Sequence, residues 1–593
     1  MKIYLYMIFE YTLDWLDILY IINYVCVCIM LWILLMIMNC LNLFFFKTWW
    51  GPKGLFYSSI LVSVCLVLLL LNDFYYCMVY NYYIYIDFGR WFFNFDILDS
   101  HLLFVVDTLA LLTSVIVLIL SIFAQYFGLE YMYREAYINR LLYLLNFFST
   151  SVIFLFFIFD FFLILVIWEL IGLFSLLLVN FYAMRVYTIK AALKTFIFSR
   201  ISDMFIFAQF LLIILIFNTS DLSVLFLQIP FYIFYNIYIF NFGLNIITIL
   251  AICLVLASAI KAAQFFVHVW LPDAMEAPTP ASALIHSSTL VIMGIFLIIR
   301  FNIIFEFSLI ANLILAVLGS MTIAFGALVA SFQNDIKKLV AFSTISQMGY
   351  LFCGCGFFCY NEVLFYLIIH AFNKAFLFII VGYIVHFFNG NTDLRFMGSL
   401  SIFALDLLFI LLFISLNLTG LPYTSGFIAK EFLLFQTFKS DLISLVVRSF
   451  WFISFFFTPF YMLWLNLNVF FYLKLNSVFF YKLLIVNYYF KFWNNLFIHL
   501  YNCFVMSRLT TFVLFYFFII VLFTNESLVL FLLNFNNIFD IINSSSWTSS
   551  ISFLLTNTYI YSSWSVYAIS YVIVFICLFT VRFFFILKNY NMF

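Results

Sequence analysis

The sequence predicts an all-α polytopic membrane protein with 14 to 16 transmembrane helices, two of them broken. Hydrophobic residues make up 68% of the 593 residues and charged residues only 8%, whereas soluble domains carry about a quarter charged residues. Apolar runs of about 20 residues, the length that crosses a bilayer, recur from the first fifty residues to the last thirty. One of these runs ends at a cluster of Pro, and another contains Gly and Pro near its middle, which predicts the two breaks.

The predicted spans follow one another along almost the whole chain. They cover residues 15–46, 55–86, 103–127, 141–159, 161–182, 191–217, 244–270, 278–300, 307–330, 337–358, 362–387, 402–438, 442–472, 510–534 and 563–588. The segment 473–509 suits either a further span or a helix on the membrane surface, because four basic residues interrupt its aromatic runs.

The two predicted breaks lie in spans seven and twelve. Span seven ends at Pro272, Pro278 and Pro280, and span twelve contains Gly420 and Pro422 near its middle. Irregular backbone at membrane depth persists only beside a cavity or other protein, and paired broken helices are typical of inverted-repeat transporters.

This pattern divides the chain into four regions. We expect N-terminal transmembrane helices at 1–137, one five-helix repeat at 138–300, an inverted second repeat at 305–472, and C-terminal helices at 473–593. An axis in the membrane plane would relate the two repeats.

Basic residues in the short connections predict the orientation of the chain. Connections after odd-numbered spans contain most of the Lys and Arg, including Arg185 and Lys190. By the positive-inside rule these connections face the matrix or cytoplasm.

Ionisable residues inside the spans are candidates for function, because a charge in the hydrocarbon costs several kcal/mol. Glu169 lies in the apolar segment FLILVIWELIGLFSLLL, and Lys261 lies among small residues before the first break. An opposing lysine would hold Glu169 ionised, and such a pair can switch between charge states. The alternatives are a structural Glu169 and a Lys261 that extends to the membrane surface.

Span six carries three further charges. Arg200 and Asp203 are three residues apart and suit a structural ion pair that lowers the cost of burial. Lys194 has no carboxylate within one helical turn, so we expect it to share the charge of Glu169 on the neighbouring span.

Histidines extend the series of polar residues. The i, i+3, i+7 spacing of Lys261, Gln264 and His268 predicts that they share one helix face. His370 and Lys374, an i, i+4 pair, suit a proton relay.

His286 lies in the segment ALIHSSTL, and the hydroxyls of the three residues that follow it can hold water or orient its ring. The alternative for His286 is a packing role.

Other function classes find little support in the composition. Lys plus Arg and Asp plus Glu both total 25, so no basic excess favours nucleic acid. The thiols of Cys353, Cys355 and Cys359 lie in an apolar pattern without a second cluster, which favours buried packing over a metal or iron-sulfur site. The abundance of Phe (89) and Tyr (39) suggests an AT-rich organellar gene.

Several segments resemble the NADH dehydrogenase subunit 5 family and its antiporter relatives. The longest is WLPDAMEAPTPASALIHSSTLVIMG, residues 270–294. The others, in family order, are WELIGLFSLLL (168–178), AALKTFIFSRISD (191–203), QNDIKKLVAFSTISQMGYLF (333–352), HAFNKAFLF (370–378), NTDLRFMGSL (391–400) and LTGLPYTSGFIAKEFLL (418–434). The resemblance covers residues of about 100 to 440.

The resemblance implies a membrane-arm subunit of respiratory complex I that carries protons along a central hydrated axis. It identifies Glu169, Lys261, Lys374 and Lys430 with the family's axis residues, and Glu431 lies where the family commonly has an acid. The full predicted proton path comprises Glu169, Lys194, Lys261, His268, His286, His370, Lys374, Lys430 and Glu431.

Two positions depart from the family pattern. Many members carry a second His four residues before the match to His370, where this chain has Tyr366. A lateral helix that follows the core in the family would be short or missing here, with 473–509 and 535–562 as the candidate segments, before a final transmembrane anchor.

The resemblance also implies partners and a location. NADH, FMN, iron-sulfur clusters and ubiquinone are expected in partner subunits and no cofactor in this chain. The expected neighbours are other membrane-arm subunits, above all a subunit 4-like pump, and lipids of the mitochondrial inner membrane. The rival interpretations are an Mrp-type cation/proton antiporter subunit and a structural subunit that does not pump.

Overall fold

A computed structural model describes most of the chain between residues 50 and 471. The gaps within that range are 81, 95–97, 134, 240–241, 403, 422–423 and 437–441, and residues 2–7, 31–37 and 39 are also described. Most of the predicted span 15–46, the spans 510–534 and 563–588, and the segments 473–509 and 535–562 lie outside the described residues.

Helices dominate the part of the chain that the structure describes. The first seven are α1 Gly51–Tyr80, α2 Thr108–Tyr131, α3 Ile138–Phe157, α4 Phe161–Val179, α5 Val186–Phe217, α6 Leu222–Gln228 and α7 Ile246–Lys261. Four short helices follow: α8 Trp270–Asp273, α9 Thr279–Ser287, α10 Leu290–Arg300 and α11 Asn302–Glu306. The last six are α12 Leu309–Phe332, α13 Ile336–Gly356, α14 Tyr360–Phe387, α15 Leu405–Thr419, α16 Ser425–Gln436 and α17 Leu442–Asn466.

Ten helices within the described ranges are long and apolar enough to cross a bilayer. Two shorter apolar helices, α7 and α15, end at the two predicted breaks. The prediction of a helical polytopic membrane fold is therefore confirmed, while the total of 14 to 16 spans and the inverted repeats stay predictions.

Two small antiparallel sheets were not predicted. The strands β1 Lys2–Met7, β2 Tyr82–Asn94 and β3 Leu98–Val106 form the first sheet in that order, and β4 Asn236–Ile239 pairs with β5 Phe242–Asn245. Alternating Tyr and Ile at the start of β2 suit a strand, although apolar content alone had extended the spans over residues 82–86 and 103–106. That extension was wrong.

The first break begins where α7 ends at Lys261. Ala263 (φ 52°) and Phe266 (φ 71°) adopt left-handed backbone, which costs non-glycine residues about 1–2 kcal/mol and cannot continue a right-handed helix. The Trp270 indole donates to the Ile260 carbonyl at 2.8 Å. A side chain thus adds to the backbone hydrogen bonds that satisfy this carbonyl at the break.

The second break separates α15 from α16 and is held by Asn417. Its Oδ1 accepts from the Gly426 amide at 2.6 Å and from Ser425 Oγ at 3.1 Å, and its Nδ2 donates to Asn373 at 2.8 Å. Gly420 (φ 74°) ends α15 in the left-handed conformation. Both predicted breaks are therefore present.

A short backbone bridge recurs at the start of two helices. Asp160, before α4, bridges Asp221, and Asp335, before α13, bridges Asp393. In each case the partner follows the next long helix, α5 or α14. Two repeats at 138–300 and 305–472 would produce such a recurrence, and they stay a prediction.

Candidate functional site

An alternating series of charges links α4, α5 and the end of α7. Arg200 Nη1 lies 3.5 Å from Glu169 Oε2 and 3.4 Å from Asp203 Oδ2. Lys261 Nζ lies 3.9 Å from Asp203 Oδ1. We call Glu169, Arg200, Asp203 and Lys261 the charge series.

The charge series runs from the surface of the chain into its interior. The side chain of Glu169 is 45% exposed and that of Lys261 1%. Glu169 is the ninth of the 19 residues of α4, so it lies near the middle of a span.

Aromatic and hydroxyl groups fix the inner end of the series. Lys261 Nζ lies 5.1 Å from the ring centroid of Trp168, a cation–π distance. The Trp168 indole donates to Ser202 Oγ at 3.2 Å, and Ser202 donates to the Ala257 carbonyl at 3.0 Å. These bonds tie α4, α5 and α7 together around the ammonium group.

The expected pairing of Lys194 with Glu169 is not what the structure shows. Lys194 Nζ lies 2.5 Å from Asp273 Oδ2, because the first break brings α8 beside α5. Glu169 contacts Arg200 instead. The Arg200–Asp203 pair is present as predicted, and it forms the centre of the charge series.

A cavity adjoins Lys261 between α4, α5 and the broken segment. It is small, with room for about one water molecule, and its lining includes Lys261, Trp270 and the hydroxyl residues Ser175, Thr195 and Ser199. The sequence pattern had not singled out these hydroxyls.

His268 and Gln264 do not share a helix face with Lys261, so that prediction was wrong. The helix ends at Lys261, and the chain turns both side chains toward α12. Gln264 accepts a hydrogen bond from Thr322 at 2.9 Å, and the His268 ring centroid lies 4.7 Å from that of Phe325.

His286 is fully buried between the rings of Trp270 and Phe378, with centroids 6.3 and 6.0 Å away. The hydroxyls of Ser287, Ser288 and Thr289 donate to backbone carbonyls of α9, so they do not orient the ring as expected. Within the described residues neither ring nitrogen has a hydrogen-bond partner.

The second half contains two buried lysines beside α13. Lys374 Nζ donates to Ser343 Oγ at 2.5 Å. Lys430 donates to the Leu418 carbonyl at the second break, and its Nζ lies 5.5 Å from the Tyr350 ring centroid. In the part of the chain that the structure describes, no ion pair joins either lysine to an acid.

The remaining candidates surround these lysines. His370, one turn before Lys374, is 1% exposed and Glu431 is 8% exposed. Tyr366 is buried, and its hydroxyl donates to Gln347 Oε1. The polar side chains Ser343, Gln347 and Tyr350 follow one face of α13 at i, i+4, i+7 spacing.

Sequence reasoning missed Asp273, Asn417 and the hydroxyl lining of the cavity. Asp273 lies inside the WLPDAM segment and Asn417 just before the second break, so their positions beside the breaks were visible. The serines and threonines carried no comparable pattern, since most bond to the backbone of their own helix.

These features define a class: a helical, polytopic membrane protein with ionisable side chains buried at two helix breaks. The family described as "NADH:quinone oxidoreductase/Mrp antiporter, TM" matches residues 159–458. This range is about half of the chain and contains both breaks. The chain belongs to this family.

Within this family, the chain is similar to proteins that share one name. The NADH-ubiquinone oxidoreductase chain 5 of Nyctotherus ovalis is 40% identical over 423 residues, which cover 71% of this chain and 23% of that protein. The same-named proteins of Paramecium tetraurelia and Acanthamoeba castellanii are 39% and 36% identical and cover 56% and 65% of this chain. The aligned part spans 58% of each of those two relatives.

A solved structure shows the same fold. The chain is similar, with a TM-score of 0.64 and 22% identity, to a chain of the Mrp complex from Dietzia sp. DQ12-45-1b, over 73% of this chain and 47% of that one. At this identity the likeness concerns the fold alone.

Proposed function

We propose that the chain is the chain 5 type pump subunit of a respiratory complex I and translocates protons across the mitochondrial inner membrane. The observation that carries the proposal is the charge series, which leads from the half-exposed Glu169 to the fully buried Lys261 at a helix break. The choice of complex I is supported by the name of the similar proteins, NADH-ubiquinone oxidoreductase chain 5.

The charge series suits proton transfer because its members have alternative partners. Asp203 lies between Arg200 and Lys261, so a small movement of one helix favours one pairing over the other. A lysine that loses its carboxylate partner in an apolar interior releases its proton more readily. Conformational change in a partner subunit can thereby drive proton release.

The second half supplies the continuation of the path. Lys374 and Lys430 are fully buried, contact α13 and lie beside the second break. Water between the buried His286, His370 and these lysines would complete a path from Lys261. His268 and Glu431 lie at its margins.

The redox chemistry of the complex then belongs to partner subunits. NADH, FMN, iron-sulfur clusters and ubiquinone are assigned to those subunits, and a subunit 4-like pump is the expected neighbour in the membrane. The side chains of Glu169 and Arg200 lie at mid-span and are 45% and 32% exposed. Because charged groups at this depth are costly in lipid, they favour a protein neighbour at this surface.

A second candidate is a subunit of an Mrp-type cation/proton antiporter. The family description includes both kinds of protein, and the fold is similar to a chain of an Mrp complex. The charge series alone does not distinguish the two assemblies.

Purification of the tagged chain from its native membrane separates these candidates. Under the complex I proposal, the chain elutes with subunits that oxidise NADH and with NADH:ubiquinone reductase activity that a tag-free control lacks. Elution with other antiporter subunits and without that activity would replace the proposal with the Mrp alternative.

A further inference from the structure

One side-chain amide joins three helices at the second break. Asn417 is buried and lies two residues before the end of α15. Its Oδ1 accepts hydrogen bonds from the Gly426 amide at 2.6 Å and from Ser425 Oγ at 3.1 Å, both in the first turn of α16. Its Nδ2 donates to Asn373 Oδ1 on α14 at 2.8 Å. Asn417 therefore contacts both sides of the break and a third helix.

The backbone of α16 fixes the orientation of this amide. The Gly426 N–H can only donate, so it requires the side-chain oxygen of Asn417 and leaves the NH₂ group to face Asn373. Asn373 is buried as well, and a buried donor that loses its partner is costly. The two asparagines therefore form a specific contact with a defined donor and a defined acceptor.

Each end of this contact lies next to a buried lysine. Asn373 directly precedes Lys374 on α14. Leu418 directly follows Asn417 on α15, and its carbonyl accepts a hydrogen bond from Lys430. Both lysines are fully buried. The hydrogen bond between the asparagines therefore joins the backbone segments that position the two lysines.

We infer that Asn373 and Asn417 form a latch that sets the spacing of Lys374 and Lys430 across the second break. The inference rests on the proposed function and adds two positioning residues to it. Two ammonium groups in an apolar interior repel each other strongly, so their energy depends steeply on this spacing. An amide suits the latch because it donates and accepts without a charge, and so it holds in every protonation state of the lysines.

Hydrogen exchange tests the latch without relying on pumping. Asn373→Leu removes the acceptor with a side chain of similar shape and leaves the bonds of Asn417 to α16 in place. Exchange of the backbone amides at 424–430 is followed by mass spectrometry of the assembled complex. The matched control is Asn312→Leu on α12, because Asn312 is equally buried, at 3% exposed, and donates instead to the Phe305 carbonyl.

We expect Asn373→Leu to accelerate exchange at 424–430 about tenfold, because an unsatisfied buried donor destabilises the break, which then opens more often. Proton uptake per electron should fall in the same variant with assembly retained. Asn373→Gln keeps an amide oxygen and should restore part of both the protection and the uptake, whereas a role in packing alone would not favour glutamine over leucine. The control should change neither value.

Unchanged exchange at 424–430 in the assembled Asn373→Leu complex would overturn the latch, whatever its proton uptake. Faster exchange with wild-type uptake would overturn it as well, since the spacing of the lysines would then not matter to transport. Absence of proton uptake in the wild-type complex would instead reject the proposed function, while the exchange result still decides whether the two asparagines hold the break.

Discussion

The ammonium nitrogen of Lys261 lies 3.9 Å from a carboxylate oxygen of Asp203, one turn of α5 beyond the contact of Glu169 with Arg200. Asp203 is thus the acid nearest to the buried lysine, although the sequence suggested Glu169 for that role. The residue expected to be structural holds the position between the two basic groups.

Asp203→Asn should impair transport at least as strongly as Glu169→Gln. The change removes the negative charge nearest to Lys261 and leaves a buried ammonium without compensation, which costs several kcal/mol. We expect proton translocation per electron to fall about tenfold or more. The control is Asp406→Asn, an exposed acid in the first turn of α15; equal losses in both variants would mean that the effect is not local.

Lys430→Gln should separate structure from proton transfer in the second half. A glutamine can still donate to the Leu418 carbonyl at the break, but it cannot take up a proton at physiological pH. We expect assembly to be retained and proton uptake into vesicles to fall strongly. Lys430→Ala should reduce both, and wild-type pumping by Lys430→Gln would show that Lys430 serves only to hold the break.

Gly426→Ala should destabilise the second break. A Cβ at this position would collide with the Asn417 carbonyl oxygen, and backbone shifts to relieve such a contact cost about 1–3 kcal/mol. Thermal unfolding of the purified complex should begin at a lower temperature. Gly128→Ala is the matched control, because its added methyl would meet only ordinary contacts, the nearest at 3.4 Å.

Tyr366 provides a test of the departure from the family pattern. Tyr366→Phe removes the hydroxyl that donates to Gln347 and leaves the packing volume nearly unchanged. We expect slower proton translocation with normal assembly, and recovery in Tyr366→His, which restores a polar ring. Full activity of Tyr366→Phe would exclude this hydroxyl from the path.

The sequence was sufficient to predict the long helices and both breaks. Predicted spans at 141–159 and 307–330 agree with Ile138–Phe157 and Leu309–Phe332 to within three residues, because bilayer length limits the apolar runs. Pro marked the region of the first break, and Gly and Pro marked the second, because both residues disrupt helices. Lys261, Lys374 and Lys430 could be predicted as buried charges because each is a basic residue within an apolar run.

Partners across helices could not be read from one sequence. The Lys194–Asp273 pair joins residues 79 positions apart, and only the path of the chain through the first break brings them together. Helical spacing also failed at His268, since the left-handed residues Ala263 and Phe266 redirect the backbone after Lys261. Neither residue is a glycine, so no residue type signalled the turn.

The central claim is that proton translocation depends on the charge series around Lys261. The most direct measurement is proton uptake per electron by the Lys261→Ala complex in reconstituted vesicles, with assembly verified on the same sample and the exposed Lys53→Ala as control. The account predicts an assembled complex with strongly reduced pumping, a similar loss in Glu169→Gln and a milder one in Glu169→Asp. Full pumping by the assembled Lys261→Ala complex would contradict it.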